Sequence, residues 1–470
     1  MKNHKFNPVI MRAYDIRGTY QKDLFGKDAY VLGRAIATIL KMRNLQNTVC
    51  VGYDGRLSSP DLHTNLVEGL LHGGCAVSDI GLVATPTMYF ASKTLNTAAG
   101  IMITGSHNPG HQNGFKIVME NKPFFGDDIQ LLQSVANSGN IIEGLGHVEL
   151  INIKPKYIEH LLKFGIGILP KHVKVAWDPG NGATGQIAEM LSKQIQNSES
   201  VLINTEIDGR FPNHHPDPTI PENMQQLIKT VMEHNCDFGI AFDGDGDRLG
   251  IIDNKGNMIF GDQILLILTQ DLIKREPDLK VVCDVKTSDA VMKCIKQFGA
   301  TPVMWKTGHS LIKAKMSEIG ANLGGEMSGH LFFGENYYGF DDALFGACKM
   351  INIVSNASET VSEMVDKMPK SYSTPEIRID IEEERKFEVI EKIKNDARTN
   401  KLDFNDLDGI RVSNDNMWWL VRASNTQNAL IVRIEGATQT ILDSSIRDMI
   451  GLFDKFNIDN TPLKILLKKP

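Results

Sequence analysis

Strand-like and helix-like segments alternate through the first three quarters of the chain, and this alternation restricts the fold more than any other feature. Apolar, β-branched runs such as TVCVGYD at 48–54 and KVVCDVK at 280–286 predict buried strands. Amphipathic stretches lie between such runs, and the clearest of them predicts a helix over 221–235 that begins at Pro221. Repeated strand–helix–strand units indicate largely parallel, mixed sheets covered by helices.

The last part of the chain, from about residue 370, has a different pattern. A strand-like EIRIDI and a highly charged helical segment precede three more strand-like runs, which predict an antiparallel meander. A chain of 470 residues is long enough for several domains. We therefore expect three α/β domains over 1–150, 151–256 and 257–370, followed by a C-terminal α+β domain over 371–470.

Composition argues against several classes of protein. Hydrophobic residues make up 42% and charged residues 23%, as in ordinary globular proteins. The formal net charge of -7 argues against a general nucleic-acid binder. The sequence shows neither the apolar stretch of a signal peptide nor that of a membrane span, so we expect no membrane partner. The six cysteines form no CxxC pair, and we expect them to be free thiols in a cytoplasmic protein.

The sharpest local signal is DGDGDR at 243–248, where three aspartates alternate with glycines between two strand-like runs. Carboxylate oxygens suit a hard cation such as Mg²⁺. Glycines let the backbone turn tightly enough for the carboxylates to converge, and like charges this close call for a compensating cation. We expect Asp243, Asp245 and Asp247 to bind a metal ion.

Two other interpretations of this loop compete with metal binding. An EF-hand calcium loop needs a glutamate at its twelfth position and helical flanks, whereas this chain has Asn254 there and strand-like flanks. A solvated acidic turn is the other alternative, because Asp and Gly are common in turns. Three alternating aspartates in one hairpin favour the metal site.

A second loop, TGSHNPG at 104–110, comes after a strand-like run and precedes NGFK at 113–116. Ser106 lies in its small, polar part, which is where α/β proteins display functional residues. An acyl-transfer serine is disfavoured because the GxSxG pattern is missing. The local chemistry alone leaves two alternatives open, a nucleophilic serine and an ordinary serine-containing turn.

Two further polar loops carry the right groups for a sugar and a phosphate. In GGEMSGH at 324–330, Glu326, Ser328 and His330 alternate, so an extended loop would point all three side chains the same way. In RASNTQN at 422–428, an arginine fork and small polar side chains could form a phosphate cradle. Each motif taken alone is equally compatible with a polar turn.

Together, and in this order, the motifs resemble those of the α-D-phosphohexomutase family. The resemblance covers nearly the whole chain: YDIRG near the start, then TGSHNP, DGDGDR, GEMSGH and RASNT. It implies three domains with a shared α/β core and a smaller α+β domain, arranged around a central active-site cleft. The match of the four main loops to four separate segments makes chance an inadequate explanation.

The resemblance also implies roles for individual residues. Those implied to be catalytic are Ser106 as the phosphorylated serine, Arg17 and Lys116 beside it, and Arg248 and His330, with His330 as the candidate for proton transfer. Those implied to bind substrate are Lys286, His309, Glu326, Ser328, Arg422, Ser424, Asn425, Thr426 and Arg433. The implied metal ligands are Asp243, Asp245 and Asp247, together with Ser106 through its phosphate.

The activity implied is that of an intramolecular phosphotransferase acting on hexose phosphates, with Mg²⁺ as cofactor and hexose 1,6-bisphosphate as intermediate and activator. Methionine at 327 in GEMSGH resembles phosphomannomutases and dual phosphomannomutase/phosphoglucomutases more than phosphoglucosamine mutases, which more often carry GEQSGH. The alternatives are a phosphoglucosamine mutase, a phosphatase, and a non-catalytic sugar-phosphate-binding protein. We expect a monomer or a homodimer.

The chain departs from the family pattern at two places. Many members carry alanine where this chain has Gly105, and we expect the glycine to loosen the serine loop. Many members have an acidic residue and a proline after RASNT, whereas this chain has Gln427 and Asn428. The second departure concerns the detailed geometry of the phosphate cradle and not its expected role in binding phosphate.

Overall fold

The computed structural model describes residues 4–12, 14–424 and 428–467, and within them the strands form four sheets that succeed one another along the chain. The first three sheets are mixed and are covered by helices, and the fourth is antiparallel. The predicted fold class, three α/β domains and a C-terminal α+β domain, is thereby confirmed.

The first sheet has the strand order β1–β5–β4–β2–β3–β7, with β6 paired to β5, once its elements are numbered along the chain. Its strands are β1 (Ile16–Thr19), β2 (Thr48–Tyr53), β3 (Ala76–Leu82), β4 (Ala99–Ile103), β5 (Gln112–Met119), β6 (Lys122–Pro123) and β7 (His147–Leu150). Its helices are α1 (Gly26–Met42), α2 (Ser59–His72), α3 (Thr85–Thr94) and α4 (Asp127–Ser138), and a 3-10 turn covers Pro8–Ile10. Strands β4, β2, β3 and β7 are parallel to one another, and β7 forms one edge of the sheet.

The second sheet repeats this plan with fewer strands. Its helices are α5 (Lys154–Leu161), α6 (Gly185–Ser192) and α7 (Gln225–His234), and its strands are β8 (Val173–Asp178), β9 (Ser198–Leu202), β10 (Phe238–Phe242), β11 (Leu249–Asp253) and β12 (Met258–Ile259). The order is β12–β11–β10–β8–β9. A single π-helical turn, Leu162–Ile166, extends α5.

Two details of the second sheet differ from the sequence-based expectation. The helix expected over 221–235 begins as a 3-10 turn at Pro221–Met224 and becomes α-helical only over α7. Strand β12 pairs with β11, although the division after residue 256 assigned it to the next segment. A two-residue strand carries too little periodicity to be recognised from sequence.

The third sheet has the order β14–β13–β15–β16. Its strands are β13 (Lys280–Asp284), β14 (Thr301–Trp305), β15 (Leu323–Gly325) and β16 (Leu331–Phe333). Its helices are α8 (Gly261–Leu272), α9 (Asp289–Gln297), α10 (His309–Ile319), α11 (Ala343–Asn356) and α12 (Val361–Asp366).

The fourth sheet is the antiparallel meander expected from the sequence. Its strands are β17 (Tyr372–Ser373), β18 (Ile377–Asp380), β19 (Phe404–Asn405), β20 (Ile410–Ser413), β21 (Met417–Ala423) and β22 (Ala429–Gly436). Its helices are α13 (Glu383–Thr399), α14 (Gln439–Lys455) and α15 (Thr461–Leu466).

The first three sheets share a hydrophobic core, and the fourth sheet has its own. One continuous core joins Phe90 of α3, Tyr157 of α5 and Phe345 of α11, so the first three sheets are packed against one another. The fourth sheet has a separate core that includes Ile393 and Phe453. Within the described residues, no helix is long and apolar enough to cross a bilayer.

The functional loops identified in the sequence occupy equivalent positions in the first three sheets. In each sheet a parallel strand passes through a loop into an antiparallel neighbour: β4 to β5, β10 to β11, and β15 to β16. These loops carry Ser106, the aspartates of 243–248, and Glu326 with His330. They begin at the carboxyl ends of parallel strands, which is where open α/β sheets bind ligands.

Candidate active site

The aspartate loop between β10 and β11 converges as its alternation with glycine suggested. Asp243, Asp245 and Asp247 are completely buried, and one carboxylate oxygen of each lies within 4.8 Å of the others. Oδ1 of Asp243 accepts hydrogen bonds from the backbone N–H groups of Gly246 at 3.0 Å, Asp247 at 3.1 Å and Arg248 at 3.2 Å. Gly246 has φ +77°, a left-handed conformation that favours glycine.

The charges of this loop call for a cation. Burial and the negative charges of Asp247 and Asp245 raise the pKa of Asp243 well above its usual range. Oδ1 of Asp245 is buried and has no hydrogen-bond partner in the described part of the chain. Unsatisfied carboxylate oxygens in a buried, electron-rich cluster are the donor set that a hard metal ion prefers. The three aspartates therefore form a cluster able to bind a metal ion.

The hydroxyl of Ser106 reaches this cluster from the first sheet. Ser106 Oγ donates a hydrogen bond to Oδ2 of Asp243 at 2.9 Å, and the side chain is almost completely buried. The backbone of Ser106 has φ +49°, a conformation that is unfavourable for residues with a side chain. Non-glycine residues persist in this conformation when the surrounding structure fixes them, and they are concentrated at functional sites.

Two further groups of the first sheet contact the aspartates. Lys116 Nζ donates to Oδ2 of Asp245 at 2.7 Å and to Oδ2 of Asp247. Burial opposes protonation of Lys116, but these carboxylates outweigh it and raise the pKa of the ammonium group. The hydroxyl of Thr85, at the start of α3, donates to Asp245 at 2.5 Å. The first and second sheets therefore share one polar centre.

The loop between β15 and β16 brings its three polar side chains together, but in a turn and not in an extended strand. The N–H of Gly329 donates to the carbonyl of Glu326 at 3.0 Å, and Gly329 has φ +91°. His330 Nδ1 lies 2.8 Å from the Glu326 carboxylate and 3.0 Å from the Ser328 hydroxyl. Its Nε2 lies 3.2 Å from Oδ1 of Asp247, so His330 bridges the third loop to the metal-binding cluster.

The two carboxylates determine the protonation of this histidine. Burial opposes the positive charge on His330, but Asp247 and Glu326 outweigh it and raise its pKa to about 9. Although burial opposes ionisation of Glu326 too, its contact with His330 lowers the pKa of this carboxyl group to about 2. The two carboxylates therefore favour the protonated form of His330, which lies against the metal-binding cluster.

Other cationic and aromatic groups surround this centre. Arg17 pairs with Asp15 at 2.7 Å and donates to the side chain of Asn108, in the serine loop, at 3.1 Å. The rings of His309 and His330 lie 5.9 Å apart. Burial and the charge of Lys313, a residue of α10, lower the pKa of His309 well below its usual range, so this imidazole is neutral.

The fourth sheet presents guanidinium groups towards the third. Arg422 Nε donates to Asp408 at 3.0 Å, but its buried Nη2 has no acceptor among the described residues. Arg433 donates to the carbonyl of Lys286 and contacts the sulfur of Met327. Ser424 is buried at the end of β21, and its carbonyl accepts from Lys386 at 2.8 Å. Asn425 and Thr426, expected in the phosphate cradle, lie outside the described residues.

The side chain of Lys286 is held by a residue that no sequence motif singled out. Its Nζ lies 2.9 Å from the carboxylate of Glu376, which precedes β18 in the fourth sheet, and 3.8 Å from that of Asp284. Burial opposes the charge of Lys286, but Glu376 and Asp284 raise its pKa. This contact links the third sheet to the fourth.

Sequence reasoning missed several residues around the serine loop, above all Arg56 and Thr85. Arg56 lies just after β2 and Thr85 just after β3, and both strands run parallel to the serine-bearing strand β4. The carboxyl ends of parallel strands meet at one edge of a sheet, and this rule would have found both residues. Glu376 and Asp408 have no comparable signal, because their positions depend on how two domains pack together.

The arrangement has the parts that phosphoryl transfer requires. It places a buried hydroxyl beside a metal-binding carboxylate cluster, a histidine in contact with the same cluster, and ammonium and guanidinium groups that contact the aspartates and the serine loop. Phosphoryl transfer depends mainly on positioning and on compensation of negative charge. The geometry is therefore suited to moving a phosphoryl group on and off Ser106.

Four family models match the chain in order. They are described as phosphoglucomutase/phosphomannomutase alpha/beta/alpha domain I, domain II, domain III and C-terminal domain, and they match residues 8–139, 155–256, 260–372 and 376–450. Together they span most of the chain and correspond to the four sheets.

Two similar proteins and one solved structure have names that agree with these family models. The chain is 43% identical to a phosphomannomutase/phosphoglucomutase of Pseudomonas aeruginosa, over 92% of this chain and 93% of that protein. It is 40% identical to a phosphoglucomutase of Neisseria gonorrhoeae, over 92% of this chain and 94% of that one. A crystal structure of a phosphoglucomutase/phosphomannomutase family protein from Burkholderia thailandensis matches with a TM-score of 0.88 at 35% identity, covering 95% of this chain and 97% of that one.

The domain matches, the identity across more than nine-tenths of the chain and the shared fold point to one conclusion. The chain belongs to the phosphoglucomutase/phosphomannomutase family of α-D-phosphohexomutases and is a phosphotransferase of the mutase type.

Proposed function

We propose that this enzyme interconverts hexose 6-phosphate and hexose 1-phosphate through phosphorylated Ser106, and that it accepts both mannose and glucose phosphates. The observation that carries the proposal is the 2.9 Å contact between Ser106 Oγ and Asp243 Oδ2. It supports a single centre in which one hydroxyl can carry a phosphoryl group beside a cation.

The proposed reaction has two half-reactions that balance. A sugar hydroxyl attacks the phosphorus of phosphorylated Ser106, the bond from phosphorus to Oγ breaks, and Ser106 Oγ takes up a proton as the sugar hydroxyl loses one. The resulting hexose 1,6-bisphosphate turns around in the cleft. Its other phosphoryl group then returns to Ser106 by the reverse chemistry, which releases the isomeric hexose phosphate.

His330 is the proposed carrier of the proton. Its charged form is favoured by Asp247 and Glu326, which raise its pKa, and this form can protonate the oxygen that leaves phosphorus. After release of the proton, the neutral imidazole can accept the proton of the next attacking hydroxyl. Glu326 keeps the ring oriented through the 2.8 Å contact to Nδ1.

Asp243, Asp245 and Asp247 are the proposed ligands of Mg²⁺, which supplies charge neutralisation for the transferred phosphoryl group. The cluster fits this role because its carboxylates are buried and Oδ1 of Asp245 lacks a partner among the described residues. Lys116, Arg17 and Arg248 are proposed to add positive charge around the phosphoserine.

The remaining cleft residues are proposed to hold the rest of the substrate. Arg422 and Arg433 each have a buried guanidinium nitrogen without an acceptor among the described residues, which supports a role in binding the phosphate that is not reacting. The full proposed cradle comprises Arg422, Ser424, Asn425, Thr426 and Arg433, and the proposed sugar contacts are Lys286, His309, Glu326 and Ser328.

The proposed use of both sugars rests on the small difference between them. Mannose and glucose phosphates differ only in the configuration of the hydroxyl at C2, and contacts to the other hydroxyls discriminate weakly between them. The similar Pseudomonas aeruginosa protein is named for both activities, and the Neisseria gonorrhoeae protein for the glucose activity alone. Phosphoglucosamine mutase activity is the alternative.

A coupled assay tests the proposal. Purified enzyme is given Mg²⁺, a catalytic amount of glucose 1,6-bisphosphate as the proposed activator, and mannose 1-phosphate, glucose 1-phosphate or glucosamine 1-phosphate. We expect turnover of the first two at rates within about tenfold of each other, the range that small pocket differences produce. Preferential turnover of the glucosamine compound would favour the alternative, release of inorganic phosphate would favour a phosphatase, and no turnover would favour a binding protein. The cytoplasmic location and the monomeric or dimeric state remain predictions.

A further inference from the structure

The side chain of Arg56 is completely enclosed beneath the serine loop. Arg56 lies just after β2, and only 1% of its surface is exposed. A buried guanidinium group loses its hydration and is tolerated only when its N–H groups find acceptors. The acceptors that surround it therefore indicate what Arg56 does in this enzyme.

Every N–H of this guanidinium group has an acceptor, and four of the five acceptors are backbone carbonyls of the short segment 106–112. Nε donates to Asp54 at 3.1 Å. The two terminal nitrogens donate to four carbonyls, those of the loop residues Ser106, Asn108 at 2.7 Å and Pro109 at 2.7 Å, and that of Gln112 at 2.9 Å, where β5 begins. An arginine has five such donors, so its capacity is used in full.

Asp54 fixes the same loop from its other end. One of its oxygens, Oδ2, accepts from the hydroxyl of Thr104 at 2.8 Å and from the N–H of Gly105 at 3.3 Å. Thr104 in turn accepts from the N–H of Ser106 at 2.8 Å. The Asp54–Arg56 pair thus determines the path of the backbone on both sides of Ser106.

Gly105 gives the guanidinium group the space it needs. A Cβ at this position would lie 2.6 Å from Cζ of Arg56 and 2.7 Å from its Nε, closer than non-bonded atoms approach. The backbone of Gly105 is not in the left-handed region, so its conformation does not itself demand glycine. We expected this glycine to loosen the serine loop, and the packing shows the opposite. Because Gly105 has no side chain, the guanidinium group of Arg56 fits beneath the loop and hydrogen-bonds to its carbonyls.

The position of Ser106 depends on these hydrogen bonds from Arg56. Its left-handed backbone, φ +49°, is strained and needs support, and its hydroxyl must stay 2.9 Å from Asp243. We propose that Arg56 is a positioning residue that holds Ser106 against the metal-binding cluster, and that Gly105 is the residue that admits it. This inference rests on the proposed role of Ser106 as the phosphorylated group.

Substitution Arg56→Lys is the first test. A lysine has three donors on one nitrogen and cannot replace the fork, so the loop should shift while the fold keeps its buried charge. A displacement of about 1 Å at the nucleophile can lower kcat by about 100-fold. We expect that loss in kcat with a KM within about twofold of the wild-type value, because the proposed phosphate cradle lies on another sheet. Arg447→Lys, at an exposed position of α14, is the matched control and should keep wild-type kcat.

The double variant tests whether Gly105 and Arg56 act as one unit. Gly105→Ala alone should also lower kcat, because the methyl group displaces the pinned guanidinium group. In the Arg56→Lys background the same substitution should cost little more, since a lysine that is not held by the fork can withdraw. The control is Gly451→Ala, where no described residue lies within 4 Å of the added atom, and it should keep wild-type kcat.

Measuring phosphate incorporation distinguishes a failure of the Arg56 inference from a failure of the proposed role of Ser106. Wild-type enzyme is incubated with glucose 1,6-bisphosphate and Mg²⁺, and each variant is compared with it by intact mass and by melting temperature. The inference holds if folded variants take up phosphate about as slowly as they turn over, and if the two substitutions are non-additive. It is overturned if the two kcat losses multiply in the double variant, or if Arg56→Lys keeps wild-type kcat, whether or not its melting temperature is lowered. A wild-type protein that turns over without phosphate on Ser106 would instead refute the proposed function.

Discussion

The hydroxyl oxygen of Ser106 lies 2.9 Å from Oδ2 of Asp243, although 137 positions of sequence separate them and they belong to different sheets. Such a contact requires the loops after β4 and β10 to face each other across the boundary between the first two sheets. The continuous core that joins the first three sheets makes this juxtaposition a property of the fold as a whole. The surroundings of the Ser106 hydroxyl are therefore formed by side chains from more than one domain.

Removal of one carboxylate should weaken metal binding and lower activity together. We expect Asp245→Asn to reduce kcat/KM by about 100-fold or more, because loss of a cation at the transferred phosphoryl group costs several kcal/mol. Added Mg²⁺ should raise the melting temperature of the wild type, as any ligand bound only by the folded state does. The control Asp415→Asn, at an exposed turn, should behave like wild type. If Mg²⁺ raises the melting temperature of Asp245→Asn as much as that of the wild type, Asp245 is not a ligand of the metal ion.

Loss of the bridging histidine should affect the chemical step. His330→Asn keeps a polar side chain of similar size but cannot carry the proton, so kcat should fall by about 100- to 10,000-fold with little change in KM. Steady-state kinetics with glucose 1-phosphate measures both constants. His234→Asn, at the exposed end of α7, provides the control. A wild-type kcat in His330→Asn would remove this residue from proton transfer.

The fork of Arg422 should be needed for substrate binding. Arg422→Lys keeps the charge but loses the planar pair of donors, one of which has no acceptor among the described residues. We expect KM for the hexose phosphate to rise about tenfold, which corresponds to about 1.4 kcal/mol, with a smaller effect on kcat. If KM is unchanged and the variant is folded, the non-reacting phosphate binds elsewhere.

The buried Asp342 predicts a particular pH dependence of stability. It caps α11 through the N–H of Phe345 at 2.8 Å and accepts hydrogen bonds from Tyr157 at 2.6 Å and from Tyr337. Burial nevertheless raises the pKa of Asp342 to about 6. Because the pKa is higher in the folded protein, this carboxyl group stabilises the fold fully below its unfolded pKa of about 3.9, and the contribution is lost as the pH rises through about 6.

The comparison variant for this effect is Asp342→Asn, which keeps a capping oxygen and does not titrate. Melting temperatures of the two proteins are measured from about pH 4 to about pH 8. The wild type should lose stability relative to the variant as the pH rises to about 6, and the difference should then stay constant. A difference that grows in favour of the wild type over this range would show that Asp342 ionises more easily in the folded state.

The fold could be predicted from sequence wherever periodicity was strong. The apolar run at 48–54 forms β2, and the change of pattern near 370 marks the start of the antiparallel sheet. Prediction was weaker where tertiary contacts determine the secondary structure. Strand β12 is an example, because its two residues are defined as a strand by their pairing with β11. The 3-10 opening of the 221–235 helix likewise could not be distinguished from an α-helical turn by side-chain spacing.

The residues of the site divide in the same way. The convergence of Asp243, Asp245 and Asp247 was predictable, because the aspartates alternate with glycines within five consecutive residues. The expected common orientation of Glu326 and His330 is found for a different reason, since a turn and not an extended strand brings them together. Arg56 binds mostly backbone carbonyls, and such contacts leave no pattern of residue types in the loop that provides them.

Phosphate on Ser106 is the most direct test of the whole account. Wild type, Ser106→Ala and the surface control Ser134→Ala are incubated with glucose 1,6-bisphosphate and Mg²⁺, and intact mass with peptide mapping then locates any phosphate. The account predicts one phosphate at residue 106 in the wild type and in the control, and neither phosphate nor mutase activity in Ser106→Ala. A phosphate found on another residue, or full activity without Ser106, would contradict it.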